Sequence, residues 1–138
     1  MERFQTTLES TLQSVDEAEK MAMREAEKAG FDEESQSHIG MAVRECMVNA
    51  VVHGNRYNRR KRIHFTVETS DSGVAVTVGD EGEGFDVNSL PDPTVPENLL
   101  RQSGRGLLLV RAFMDEVDVH PRQGGGTEVR LVKSVAGS

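Results

Sequence analysis

At 138 residues the chain is long enough for one domain with a real core and too short for two. Its formal net charge of −7 argues against a nucleic-acid backbone as the main ligand, since phosphates attract basic surfaces. One cysteine, Cys46, permits no internal disulfide, and no apolar run approaches the roughly 20 residues that span a bilayer.

Met1–Leu12 lacks the apolar stretch of a signal peptide, so a soluble cytoplasmic protein with no membrane contact is expected. Phe4–Leu8 predicts a short edge strand. Leu12 to Ala29 carries apolar residues at helical spacing and stops at Gly30. A second helix is expected from the cap Asp32 to about His53, ended by Gly54-Asn55. Its apolar face is Ile39, Val43, Cys46, Met47, Ala50 and Val51. Ile63–Glu68 and Val74–Val78 predict a hairpin across a Ser-Asp-Ser-Gly turn. A glycine loop follows. Leu90–Ser103, with three prolines, reads as an irregular, mobile segment. Gly106–Glu116 predicts a third helix, and Val117–His120 and Thr127–Val132 two more strands around Gln123–Gly126. The whole chain, 1–138, is expected to form one α+β domain. It would be a two-layer sandwich, a mixed and mostly antiparallel sheet with helices on one face.

Four features carry chemistry. Glu45 and Asn49 stand at i and i+4, on one helix face with Cβ atoms roughly 6 Å apart. An amide oxygen is a hard neutral ligand for Mg²⁺, and a carboxylate can orient or deprotonate a hydroxyl. Asp80-Glu81-Gly82-Glu83-Gly84 follows a strand directly. Its glycines let a ligand come close, and Asp80 can accept a hydrogen bond from an exocyclic amine. Gly104-Arg105-Gly106-Leu107 opens a helix, and free N–H groups at helix N-termini bind phosphate. Gly124-Gly125-Gly126-Thr127 permits a tight hairpin followed by a hydroxyl. Each alone is ordinary loop or helix-edge chemistry. The order and spacing of the four are more specific.

Together, from Ile39 to Val132, they resemble the GHKL family of ATP-binding domains, whose fold is the Bergerat, or histidine-kinase-like ATPase, fold. The string Asn49-Ala50-Val51-Val52-His53-Gly54-Asn55 and the run from Gly104 to Val110 are similar to bacterial anti-sigma-factor serine/threonine kinases. The resemblance implies ATP and Mg²⁺ as cofactors, with Asn49 as metal ligand and Glu45 as catalytic base. It implies that Asp80 and Thr127 meet the adenine, that Gly82 and Gly84 wall it, and that Gly104, Arg105, Gly106 and Leu107 line the phosphates under a lid at Leu90–Ser103. It further implies an enzyme that phosphorylates an anti-anti-sigma (STAS-type) protein, holds a sigma factor, and forms a homodimer. An ATP-gated binding switch without kinase activity is the alternative. Glu45 tilts against that alternative, since a pure binder needs no carboxylate there. P-loop, dinucleotide and eukaryotic kinase motifs are absent from the sequence. The basic run Arg56–Arg62 reads as a solvated loop or as a protein- or acid-binding surface.

Overall fold

Helix α1 (Leu12–Lys28) begins where the sequence supplies a cap: the Thr11 hydroxyl accepts the Ser14 N–H at 3.3 Å. The computed structural model describes residues 2–82 and 106–135. Val15, Ala18, Ala22 and Ala26 form the buried stripe of α1, and their small size lets helix α2 (Glu33–Val48) come close. Arg44 of α2 reaches back to Asp16 at 2.6 Å and Glu19 at 3.1 Å on α1. Asp32 caps α2 through Ser35 N–H at 2.8 Å, with Glu33 and Glu34 favourably placed in the first turn.

The expected helix to His53 changes character on the way. It is α-helical through Val48 and widens into a π turn at Asn49–Gly54. The Asn55 N–H bonds Ala50 O at 2.8 Å, five residues back. Such widened turns are uncommon and gather at functional sites.

The remaining elements are β1 (Glu2–Leu8), β2 (Ile63–Ser70), β3 (Gly73–Gly79), α3 (Gly106–Phe113), β4 (Glu116–Pro121) and β5 (Thr127–Ser134). The sheet order is β1-β2-β3-β5-β4, and all four ladders are antiparallel. One register row, Thr6–Phe65–Val78–Val129–Val119, faces the helices. Its neighbour, Gln5–Thr66–Thr77–Arg130–Asp118, is polar, as expected for an antiparallel sheet with one covered face. Helix α3 stops before the expected Glu116 because the Asp115 N–H is drawn to Val132 O at 2.8 Å, into the sheet. Ile39, Met47, Phe65 and Leu131 are fully buried between the layers. Each contributes about 1.5–3 kcal/mol relative to exposure. No described helix is long and apolar enough to cross a membrane. The segment Leu90–Ser103 lies outside the described residues.

Candidate functional site

Glu45 and Asn49 share one helical turn, and the Asn49 N–H bonds Glu45 O directly. Asn49 is only 9 % exposed, yet no described residue hydrogen-bonds its amide. Glu45 is half-buried and has no ion pair or hydrogen bond among the described residues. An amide and a carboxylate that no described residue engages are available to a ligand. Cys46, between them in sequence, is fully buried, and that burial pushes its thiol up to about 12 with help from the Glu45 charge. It is inert as a nucleophile.

Asp80 sits at the end of β3 and is 6 % exposed. Its main chain is clamped from two sides. Asp80 N–H bonds Thr127 O at 2.9 Å, and Arg122 Nε donates to Asp80 O at 2.9 Å. Its side chain is aimed as well. Oδ1 accepts Gly82 N–H at 2.9 Å and Thr127 N–H at 3.1 Å. Oδ2 has no donor among the described residues and lies against Gly54, where a Cβ would collide with it. Burial pushes the Asp80 carboxyl above its ordinary range, against the two backbone hydrogen bonds and the charges of Arg122 and Lys61. The result is a fixed carboxylate with one oxygen free to accept.

Three glycines from three segments make room around it. A Cβ on Gly54 would strike the Asp80 side chain, one on Gly82 the Gly54 carbonyl, and one on Gly126 the Asp80 carbonyl. Thr127 therefore meets Asp80 through its backbone, and its hydroxyl makes no hydrogen bond among the described residues.

Behind the site is Asn55, 2 % exposed. Its Oδ1 accepts Glu81 N–H at 2.8 Å, and its Nδ2 donates to Ser10 Oγ at 2.8 Å and Arg62 O at 3.0 Å. Glu81 is tied on its other side to Arg62 N–H at 3.1 Å and His64 Nε2 at 2.6 Å. These bonds hold the Asp80–Gly82 turn to the end of the π turn. Asn55→Ala leaves several of these groups without partners. It is expected to cost about 3 kcal/mol and lower the thermal midpoint by roughly 10 °C, read by circular dichroism.

The structure thus brings together Asp80 and Gly82, just after β3, and Thr127 at the start of β5, with Gly54 of the π turn against Asp80; Glu45 lies in α2 and Asn49 opens that same π turn. Gly106 and Leu107 open α3. Gly84, Gly104 and Arg105 lie outside the described residues. Asn55 and Gly54 count for more than the helix stop the sequence suggested. Arg122 gives no local signal at all, because its partner is 42 residues away.

The sequence model of the histidine kinase-like ATPase domain matches residues 8–133. An anti-sigma F factor of Heyndrickxia coagulans is 35% identical over 99 residues, 68% of this chain and 66% of that protein. Anti-sigma F factors of Bacillus thuringiensis (strain Al Hakam) and Bacillus mycoides (strain KBAB4) are each 33% identical over 109 residues, 76% of this chain and 73% of theirs.

Proposed function

Because the chain belongs to the histidine kinase-like ATPase family, we propose that it is an anti-sigma factor and protein serine/threonine kinase working on Mg-ATP. Its substrate is a serine or threonine of an anti-anti-sigma (STAS-type) protein, and its second partner is a sigma factor. The names of the similar anti-sigma F factors support the sigma factor as a partner. The observation that carries the reading is the pair Glu45 and Asn49, one turn apart and without a side-chain partner among the described residues, on the helix whose π turn ends at Gly54 against a preset Asp80. We further take the chain as one domain, acting as a cytoplasmic homodimer.

The residues divide the work. Asp80 Oδ2 accepts the exocyclic amine of adenine, and the glycines around it leave space for the ring. Asn49 would hold Mg²⁺ through its amide oxygen, a sparse protein contribution that suits an ion that dehydrates reluctantly. Mg²⁺, when bound, neutralises charge on the phosphates. Among the described residues no trio of His, Cys, Asp and Glu could cage a metal without the substrate. Glu45 takes the proton of the attacking hydroxyl as the new O–P bond forms and ADP leaves. Transfer of label from ATP to the anti-anti-sigma protein tests this directly. Mg-ATP binding without any labelled product favours the switch reading instead.

Binding itself shows in thermal melts. Mg-ATP at 100 times its dissociation constant stabilises by about 2.7 kcal/mol. Asp80→Ala is expected to abolish that shift. The pH dependence follows from the raised carboxyl. A carboxyl held above its unfolded value favours folding at acid pH, and that contribution is lost as pH rises through the folded value. An amine donor instead requires the ionised form. The Mg-ATP shift is therefore expected to shrink as pH falls toward the Asp80 value, starting above the ordinary carboxylate range. Asp80→Asn removes this slope if Asp80 is its source. An unchanged slope in that variant rejects the assignment.

A further inference from the structure

The run after the π turn, Arg56-Tyr57-Asn58-Arg59-Arg60-Lys61-Arg62, gathers five of the chain's 16 lysines and arginines into seven residues. The chain as a whole carries −7. Arg56, Arg59 and Arg60 are exposed and make no ion pair among the described residues. Arg62 only approaches Glu9, at 3.9 Å. Tyr57 is half exposed in their midst.

This loop has a fixed shape. Arg56 and Tyr57 both hold positive φ, 52° and 60°, a conformation uncommon for residues with a Cβ. Tyr57 N–H bonds Val51 O at 2.9 Å, Asn58 N–H bonds Asn55 O at 3.0 Å, and Lys61 N–H bonds Asn58 O at 3.0 Å. The Asn58 side chain accepts Arg60 N–H at 2.9 Å. An exposed loop that is merely solvated needs no such locking, and strain of this kind gathers at binding and switch regions. Arginine and tyrosine on a rigid frame are what interface centres are made of.

We propose that this loop is the docking surface for an acidic segment of a protein partner, a reading that rests on the kinase and anti-sigma function above for the identity of that partner. An acidic segment is repelled by the rest of an acidic molecule and attracted here, which fixes where it lands. Nucleic acid is disfavoured by the same net charge. The loop base is also part of the site: Asn55 joins Arg62 O to Glu81 N–H, next to Asp80.

The test uses the full chain and the variant R56E/R59E/R60E, with R56Q/R59Q/R60Q as a milder second variant should the first fold poorly. The probes are a fluorescent glutamate-rich peptide, a DNA duplex, and the purified sigma factor and anti-anti-sigma protein. Wild type is expected to bind the peptide at low salt and lose it as salt rises. Both variants weaken peptide and at least one partner, by about tenfold or more in the glutamate variant, with an unchanged Mg-ATP melting shift. Unchanged peptide and partner binding in the variants overturns the proposal. So does loss of the Mg-ATP shift in the variants, which would assign the loop to the nucleotide. Tighter binding of DNA than of peptide overturns it too, as does a wild type that binds the peptide but neither protein. An absent Mg-ATP shift in the wild type defeats the kinase reading instead, and the peptide measurement then decides the docking surface by itself.

Discussion

Glu45→Ala is expected to lower phosphoryl transfer by about 10²–10⁴-fold, the usual contribution of a positioned general base. Mg-ATP affinity should stay within a few-fold of wild type, because Asp80 and Asn49 are untouched. Glu45 has no hydrogen bond or ion pair to lose among the described residues, so the fold should be spared. The measurement is single-turnover transfer of label to the anti-anti-sigma protein, alongside calorimetric titration with Mg-ATP. Full transfer activity in the variant ends the base assignment. Equal loss of binding and transfer places Glu45 in nucleotide binding instead.

Gly126→Ala is expected to damage both stability and binding. The added Cβ falls on the Asp80 carbonyl, which is backbone and cannot swing aside. Gly126 also holds φ at 101°, where a side chain is strained. Overpacking and strain together suggest about 3 kcal/mol, with Mg-ATP affinity reduced well over tenfold. Gly54→Ala separates the two effects. There the Cβ meets the Asp80 side chain and not its backbone, so relief shifts the carboxyl group off its two hydrogen bonds. Binding should fall in that variant with a smaller change in melting midpoint. The reverse ranking, with Gly54→Ala the more destabilising and binding intact, would falsify the role given to Asp80.

Several of these residues could be read before any coordinates. Glu45 and Asn49 announce themselves by a four-residue spacing on an apolar helix, and Asp80 by its place between a strand and two glycines. The strands followed from alternation, with bounds within a residue or two in the hairpin β2–β3. Asn55 was legible only as a helix stop. Its partners stand 45, 7 and 26 residues away, at Ser10, Arg62 and Glu81, and no local pattern joins them. The contribution of Arg122 was hidden for the same reason. Thr127 was named for its hydroxyl, whereas its main chain grips Asp80, a bond set by the β3–β5 register. The π turn was invisible because apolar periodicity over a single turn cannot separate a four-residue from a five-residue repeat.

That turn has a consequence for how the segment can change. A π turn carries one residue more than the α turn it replaces, and one residue is roughly 100° of helical rotation. Asn49 keeps its angular phase with Glu45, because the helix behind it is α-helical. Gly54, which closes the π turn, and Asn55, which follows it, are swung toward Asp80 and Glu81. Chain length here acts as an angle. Substitutions within Ala50–His53 leave that angle alone, whereas deleting one residue would straighten the helix and turn Asn55 away from the Asp80–Gly82 turn it holds.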